Sequence, residues 1–500
     1  MGNRRGLRLP DVPAPYRHPH HRRPVTRRDF LAQGFLSGAA MIAAPSLLGF
    51  FRTPAARAQA ASCGVNFSAA GKIPFVCFDL AGGASIAGSN VLVGGPGGQQ
   101  DFLSVAGYSK LGLPATMLPS LPGQMNTDLG LAFHADSAFL RGILSKAAPT
   151  TLANTNGAVI CARSENDTSN NPHNPMYGIN QAGADGALVT LIGTQSSDSG
   201  GNSQAPMALI DPEARPTRVA SGRDATGLVD TGKLVQLLNQ QDAEAVMDAA
   251  HQLTDAKLNR IAEDALVEQL VTCAFAETTG LVATFGDPSS LDPFNDPAIA
   301  SGATPIFSAA ELNQSKFERT AAVMKLVVNG FAGAGTIVLG GYDYHDGSRS
   351  TGEVRDFEAG QAIGATLEYA ARMNQQLMLY VFSDGSLDSD GQIDNSVDGR
   401  GKGSWRGDNS STAAVFTLVY DPAGRPQLRS PASQQIGHFR TSGDVETSAT
   451  PISNNVTLLA YAVVLNYMAL HGEEGSFASL FPVNGLGSNL DPLIAFQPIR

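Results

Sequence analysis

The segment 336–345 reads TIVLGGYDYH: an apolar run with β-branched residues, two glycines, then alternating aromatic and polar residues. A short apolar run bounded by glycine is typical of a strand buried on both faces of a parallel sheet. Helix-like stretches separate this run from four similar ones, at residues 73–78, 157–162, 377–382 and 413–419. The alternation predicts an α/β fold with a doubly wound, mainly parallel sheet flanked by helices.

Three stretches between or after the runs carry helix signals. Ser308 and Glu311 have the spacing of a capping box, which predicts a helix that runs from Ser308 toward Gly330. Apolar residues recur at roughly helical spacing through residues 353–375. Residues 455–471 are strongly apolar and end before a glycine, the residue that commonly follows a helix.

In chain order, the run at residues 157–162 is the second and the run that begins at residue 336 is the third, and a long segment between them departs from this pattern. Residues 185–232 are rich in Gly, Ser, Asp and Pro, and residues 240–282 have the pattern of two helices. Together they exceed what a crossover between parallel strands requires. We therefore expect residues 185–282 to form an inserted loop and helical lobe, or lid, on a single α/β domain spanning residues 61–500.

The first sixty residues have the composition of an export signal. Arg27 and Arg28 are followed by Asp-Phe-Leu, and no charged residue occurs from residue 30 to residue 51. The small residues Ala58 and Ala60 then flank a glutamine, as at a cleavage site. This pattern predicts a twin-arginine signal peptide over residues 1–60, recognised by the twin-arginine export machinery, and a periplasmic or secreted protein without a stable membrane anchor.

The charge of the chain is unevenly distributed. The net charge is −11, but ten arginines and two aspartates give residues 1–60 a charge of +8 and leave −19 for residues 61–500. So acidic a mature protein argues against nucleic acid as a partner. Because twin-arginine cargo folds in the reducing cytosol, we expect no structural disulfides, and we expect Cys77 and Cys161 to be buried as small apolar residues.

Polar residues follow several of the apolar runs. In an open parallel sheet, ligands bind at the carboxyl ends of the strands. Asp343 and His345 stand two positions apart after the third run, so in an extended segment both would point to one side and could ligate one ion. A hydrogen-bonded loop pair is the alternative. Asp384 follows the fourth run, Asp79 follows the first, and Ser85 offers a hydroxyl nearby.

The order of these motifs resembles a large, functionally uncharacterised family of bacterial twin-arginine-exported proteins that looks like a branch of the alkaline phosphatase and sulfatase superfamily. The segments that carry the resemblance are FDLAGG (78–83), LAFH (131–134), residues 163–173, GGYDYH (340–345), FSDG (382–385) and GDNS (407–410). It implies an alkaline-phosphatase-like sheet and a metal-dependent hydrolase of small phosphate or sulfate esters. It also implies a divalent metal, zinc or else calcium or magnesium, with the candidate ligands Asp343, His345, Asp384, Asp79 and Asp408, and Ser85 as nucleophile.

Two positions depart from the family's pattern. The family commonly has an aspartate where this chain has Ser85, and a histidine where it has Asn409. Loss of ligands weakens a site that needs three or four of them, unless His173 or His438 compensates. The alternative is therefore a non-catalytic, degenerate member that acts as a binding or secretion-associated scaffold.

Overall fold

An eight-stranded sheet forms the centre of the described chain. The computed structural model describes residues 71–165, 170–229 and 287–500, together with Ala249. Apart from Ala249, these residues belong to one compact unit, residues 66–236 and 280–500. The strands are β1 (Phe75–Ala81), β2 (Met125–Asn126), β3 (Phe133–His134), β4 (Thr155–Ile160), β5 (Val189–Gly193), β6 (Thr217–Arg218), β7 (Ala332–Gly340), β8 (Leu377–Ser383), β9 (Leu387–Asp394), β10 (Lys402–Asp408), β11 (Val415–Tyr420) and β12 (Gln435–Ile436).

The central sheet is mostly parallel. Its strand order is β12-β4-β11-β8-β1-β7-β5-β6, while β2 with β3 and β9 with β10 form separate antiparallel pairs. Every neighbouring pair in the central sheet is parallel except those of β11, which is antiparallel to both β4 and β8. In the middle of the sheet, Cys77 of β1 lies opposite Thr336 of β7 and Tyr380 of β8. The predicted α/β fold with a mainly parallel sheet is confirmed.

All five predicted runs are strands of this sheet: β1, β4, β7, β8 and β11. Alternate side chains of β1 enter different cores, because successive residues of a strand point to opposite faces. Val76 and Phe78 pack in one apolar cluster, whereas Phe75 and Cys77 pack in the other. Burial on both faces is why these strands have nearly continuous apolar sequences.

Helices cover both faces. They are α1 (Val105–Lys110), α2 (Ala138–Leu144), α3 (Pro149–Ala153), α4 (Met176–Gln181), α5 (Gly222–Gly227), α6 (Ala309–Leu312), α7 (Ser315–Val328), α8 (Ser350–Arg372), α9 (Val456–Leu470) and α10 (Phe477–Leu480). α7 and α8 contribute to the cluster that contains Val76, and α4 and α9 to the cluster that contains Phe75. The predicted helices over residues 353–375 and 455–471 correspond to α8 and α9.

The helix predicted to start at Ser308 is divided in two. Ser308 and Glu311 form the capping box as predicted, but α6 ends at Leu312 and α7 begins at Ser315. The residue before α7, Gln314, makes no side-chain hydrogen bond to the helix start. The break therefore creates a second helix N-terminus, one that no side chain caps.

The structure corrects the expected inserted lobe for residues 189–218. β5 pairs in parallel with β7, and β6 pairs with β5, so both are strands of the central sheet. The backbone of Val189–Gly193 thereby completes hydrogen bonds at what would otherwise be an open sheet edge. The predicted helical pair over residues 240–282 and the predicted signal peptide lie outside the described residues, Ala249 excepted.

Two further expectations concern cysteines and membranes. Cys77 and Cys161 are buried and free, as predicted. None of the helices within residues 71–165, 170–229 and 287–500 combines the length and the apolar character needed to cross a bilayer.

Candidate metal centre

Several connections of the sheet meet at one of its edges. β1, β7 and β8 are parallel, so their carboxyl ends lie at the same edge. β11 runs the opposite way, so the connection leading into it arrives at this edge as well. Asp343 and His345 follow β7, Asp384 follows β8, and Asp408 ends β10 shortly before β11. The topology thus brings residues that are far apart in sequence to a common edge.

Gly82 allows these connections to approach one another closely. A Cβ atom at this position would lie 2.5 Å from the backbone nitrogen of Asp343, and Gly82 has a φ of +116°. Its own amide donates to Asp384 Oδ1 at 3.0 Å. Only glycine fits this combination of backbone contact and left-handed conformation, so Gly82 fixes the loops after β1, β7 and β8 against each other.

Side chains alternate in direction along residues 342–345. Tyr342 and Tyr344 are buried, and the Tyr344 hydroxyl donates to Asp356 Oδ1 at 2.9 Å. Asp343 and His345 instead point outward, with side-chain exposures of 54% and 37%. The two aromatic residues thus anchor an extended segment that presents the carboxylate and the imidazole together, as the two-residue spacing predicts.

The outward side chains form a cluster with Asp408. His345 Nε2 lies 2.7 Å from Asp343 Oδ1 and 3.6 Å from Asp408 Oδ1. One ligand atom from each residue lies within 4.8 Å of the other two. Asp408 has 55% of its side chain exposed, so the cluster is open to solvent.

The donor set fits a divalent metal. Ligand atoms lie about 2.0–2.2 Å from a zinc ion, so two ligands of one ion are at most about 4 Å apart. Both distances from His345 Nε2 meet this limit. Two carboxylates and one imidazole also match the three protein ligands of a catalytic zinc site, which leaves one position open.

No family model matches the chain. No curated protein matches it either. The resemblance inferred from the sequence motifs therefore stays a prediction, and the functional assignment depends on the geometry of this edge of the sheet.

Asp384 lies outside the cluster of Asp343, His345 and Asp408. Its side chain is fully buried, with Oδ1 accepting from the Gly82 amide at 3.0 Å and Oδ2 from Asn202 Nδ2 at 3.4 Å. A carboxylate that accepts such hydrogen bonds holds loops together at this edge. In this structure Asp384 supports the loops, and it is not among the grouped ligand atoms of the described residues.

Asp79 is also kept away from the cluster. It is fully buried within β1, and its Oδ2 accepts from the amides of Asn202 and Ser203, both at 2.8 Å. Burial raises the pKa of Asp79 to about 7, although the hydrogen bonds from Ser203 and Asn202 act in the opposite direction. Asp79 therefore holds the loop before β6 on the sheet and is not among the grouped ligand atoms.

We expect the stability contributed by Asp79 to fall as the pH rises. The pKa of Asp79 in the folded protein, about 7, is above its ordinary value of 3.8. The protonated carboxyl therefore contributes its full stabilisation of the fold below about pH 4, and this stabilisation is lost as the pH rises through 7. The free energy of unfolding of the wild type relative to Asp79→Asn should therefore decrease between about pH 5 and about pH 8. Urea unfolding at several pH values measures this difference.

Asp444→Asn is the matched control for the Asp79 experiment. Burial acts to raise the pKa of Asp444, but hydrogen bonds from Lys110 and Ser442 outweigh burial and lower the pKa, so its contribution changes only below its ordinary pKa. A difference between wild type and Asp79→Asn that stays flat across the same range would contradict the prediction.

Ser85 does not face the cluster. The residue is fully buried, and its hydroxyl makes no hydrogen bond within the described residues. Its backbone amide donates to the Tyr344 hydroxyl at 3.1 Å, and its carbonyl accepts from Asn90 Nδ2 at 3.0 Å. Ser85 thus packs with the inward-pointing Tyr344, and in this conformation its hydroxyl is shielded from any solvent-borne substrate.

Asn409, which stands where the resembled family commonly has a histidine, contacts another side chain. Asn409 Nδ2 donates to Asp388 Oδ2 at 2.9 Å, which ties the start of β9 to the end of β10. His173 is buried and stacks on Phe382, with ring centroids 5.7 Å apart. Burial lowers the pKa of His173 to about 3, so its ring is neutral. Neither His173 nor His438 belongs to the grouped ligand atoms among the described residues.

A cleft that no sequence pattern predicted lies at the end of β7. It has a volume of about 350 Å³ and is lined by the end of β7, the start of α7 and part of α8. Its basic residues are Lys316, Arg319 and Arg355. Lys316 and Arg319 precede β7 in the chain and Arg355 follows it, so no local sequence motif contains all three residues. An arginine and a lysine in the first turns of a helix adjoining a strand end are the only available signal.

Proposed function

We propose that the protein is an exported, metal-dependent hydrolase of phosphate or sulfate esters. In this proposal, Asp343, His345 and Asp408 hold one divalent metal ion. The observation that carries the proposal is the convergence of their three ligand atoms within 4.8 Å from two separate connections of the sheet. Their position at the carboxyl edge of a mostly parallel sheet supports it, because ligands of open α/β sheets bind there.

Zinc is the metal that suits this donor set best. Zinc accepts both donor types present here, imidazole nitrogen and carboxylate oxygen, whereas calcium and magnesium favour oxygen ligands alone. A metal bound here would supply Lewis acidity, which polarises the ester that is to be cleaved. The chain's own residues would hold the ion and leave its exposed side accessible to substrate.

The attacking group in this proposal is water. Ser85 is buried, so its hydroxyl is not positioned as a nucleophile. Attack by water on the phosphorus or sulfur atom forms a new bond to oxygen, and the bond from that atom to the bridging oxygen breaks. The alcohol leaves with the bridging oxygen and one proton of the water, and the other proton stays with the phosphate or sulfate product or passes to solvent. Since the exposed carboxylates of Asp343 and Asp408 face solvent, water reaches this edge without any rearrangement of the sheet.

The proposal is tested by metal-stimulated hydrolysis. The purified mature chain is stripped with a chelator, and turnover of p-nitrophenyl phosphate and p-nitrophenyl sulfate is followed on addition of zinc, magnesium or calcium. We expect zinc to restore turnover in the wild type and in His438→Ala, but not in His345→Ala. Metal binding without turnover on any ester would overturn the hydrolase and leave a non-catalytic metal-binding protein.

A non-catalytic scaffold is the second candidate. Two observations favour it: the buried Ser85 hydroxyl and the engagement of Asn409 with Asp388 where the family commonly has a histidine. In that case the edge would bind a ligand without cleaving it. The same assay separates the two candidates, because only the hydrolase releases p-nitrophenol.

The export route is part of the proposal. It is supported by the arginine pair Arg27 and Arg28, the uncharged run and the small residues at the expected cleavage site. Changing both arginines to lysine should leave the unprocessed chain in the cytoplasm, as measured by fractionation and N-terminal sequencing. Normal processing of this double variant would contradict the twin-arginine assignment.

A further inference from the structure

The cleft at the end of β7 combines groups from three elements. Lys316 and Arg319 come from α7, Tyr342 from the loop after β7, and Arg355 and Glu358 from α8. Its volume of about 350 Å³ is ample for a tetrahedral oxyanion together with part of a larger molecule.

The cleft carries an excess of positive charge. Lys316, Arg319 and Arg355 face one carboxylate, that of Glu358. Glu358 lies 2.5 Å from Lys316 Nζ and 3.3 Å from Arg355 NH1, so it is shared between two of the cations. Since the whole chain has a net charge of −11, this local excess is the reverse of the protein's overall charge.

Arg319 leaves part of its hydrogen-bonding capacity unused. Its Nε atom is shielded from solvent and makes no hydrogen bond within the described residues. A shielded guanidinium nitrogen without an acceptor is costly, and an oxyanion in the cleft would supply that acceptor.

The start of α7 adds backbone donors. α7 has 14 residues, and Gln314 provides no side-chain cap. The amides of Phe317 and Glu318 donate to the Gln314 carbonyl, so the amides left at the helix start are those of Ser315 and Lys316. The N-terminus of a helix carries a partial positive charge and binds phosphate and sulfate through such amides. Cations, a helix N-terminus and an unsatisfied guanidinium thus converge on one cleft.

The cleft and the candidate metal centre adjoin along the chain. Tyr342 lines the cleft, and Asp343 is the next residue, about 3.8 Å away between Cα atoms. Gly341 also brings this loop close to a cation of the cleft, since a Cβ there would lie 3.1 Å from Arg355 Nε. The same short loop after β7 therefore borders the cleft and carries Asp343.

We propose that this cleft binds a phosphate or sulfate group, and that it serves as a second anion subsite for substrates that carry two such groups. The role as a second substrate subsite rests on the proposed function. One anionic group would sit at Asp343, His345 and Asp408 for cleavage, and the other would be held by Lys316 and Arg319. The substrate class is then a polyanionic ester, one that carries a second phosphate or sulfate some bonds away from the scissile one.

The experiment measures oxyanion binding independently of the metal. Inorganic phosphate and inorganic sulfate are titrated calorimetrically into metal-free His345→Ala protein. We expect saturable binding that weakens with added sodium chloride, and we expect Arg319→Gln to weaken it at least about ten-fold, as loss of one charge-assisted hydrogen bond does. Comparing the two anions decides which group the cleft prefers.

Matched controls keep the result interpretable. Arg440→Gln removes an exposed arginine that pairs with Glu446, and it should leave binding unchanged. Arg319→Lys retains the charge and guards against a folding defect in Arg319→Gln; circular dichroism compares all variants. Absence of saturable binding, or equal binding by His345→Ala with and without the Arg319→Gln change, would overturn the subsite.

The two proposals fail in different ways. If the oxyanion binds but no ester is hydrolysed, the proposed function is wrong and the anion site remains. If esters with a single phosphate or sulfate group are hydrolysed while Arg319→Gln leaves the KM for a bis-phosphorylated ester unchanged, the hydrolase remains and the subsite is wrong.

Discussion

Replacing His345 with alanine should reduce the affinity for zinc by at least about 100-fold. Loss of an outer partner of a metal ligand already costs about 10–100-fold, and His345 is a direct ligand in the proposed site. It is also the only nitrogen donor of the cluster. The two exposed carboxylates that remain, Asp343 and Asp408, would bind a divalent ion only weakly. Competition with a chromophoric chelator, followed by elemental analysis after dialysis, measures the change.

The controls for His345 test both binding and folding. His438→Ala removes a histidine outside the cluster and should leave zinc affinity unchanged. His345→Ala itself should alter the free energy of unfolding of the metal-free protein by no more than about 0.5 kcal/mol, because the side chain lies at the surface. Equal zinc affinity of wild type and His345→Ala would remove the metal from the proposed function.

Replacing Glu353 with glutamine should destabilise the fold by about 3–5 kcal/mol. Glu353 Oε1 accepts from Lys402 Nζ at 2.8 Å and from Arg349 Nε at 2.9 Å, and Oε2 accepts from Arg141 NH2 at 2.7 Å. Lys402, Arg349 and Glu353 are 0%, 1% and 2% exposed. Glutamine would remove the carboxylate that pairs with buried Arg349 and would leave buried Lys402 with Asp136, 3.2 Å from its Nζ, as its remaining carboxylate partner among the described residues. Removing one partner from such a buried group costs far more than the loss of a surface ion pair.

The ionisation of Glu353 supports this expectation. Burial alone would raise its pKa, but Arg349, Lys402 and Arg141 together outweigh burial and leave the pKa below its ordinary value. Glu353 is therefore a carboxylate at neutral pH.

The matched control is Glu446→Gln, which breaks an exposed pair with Arg440 and should change the midpoint of urea unfolding little. Equal urea midpoints for Glu353→Gln and Glu446→Gln would show that the buried ion pairs of Glu353 do not stabilise the fold.

The strands and the Asp-x-His pair were predictable because each depends on local periodicity. Continuous apolar runs identified β1, β4, β7, β8 and β11, and two-residue alternation placed Asp343 beside His345. Asp408 was included through the resemblance of GDNS to a family motif rather than through any spacing. The approach of Asp408 to His345 depends on how the β9–β10 ribbon meets the loop after β7, and no single segment of the sequence determines this.

The features that the sequence patterns did not indicate all depend on long-range contacts. Asp79 and Asp384 stand at strand ends as ligands would, but Asn202 and Gly82, from distant parts of the chain, occupy their oxygens. The strand at 189–193 is short and lies in a segment rich in glycine and serine, so its pairing with β7 was not recognised. The cleft was missed for the same reason, since its cations come from two helices.

The antiparallel direction of β11 has a consequence for how this protein can change. β8 and β11 are antiparallel neighbours, so a turn of a few residues would suffice to join them. The chain instead uses residues 384–414, and within them the β9–β10 ribbon delivers Asp408 to the edge. One of the three proposed ligands therefore lies on a ribbon that the register of the central sheet does not require. If the proposed site binds a metal, insertions or deletions in the ribbon would change or abolish that binding while the central sheet stays intact.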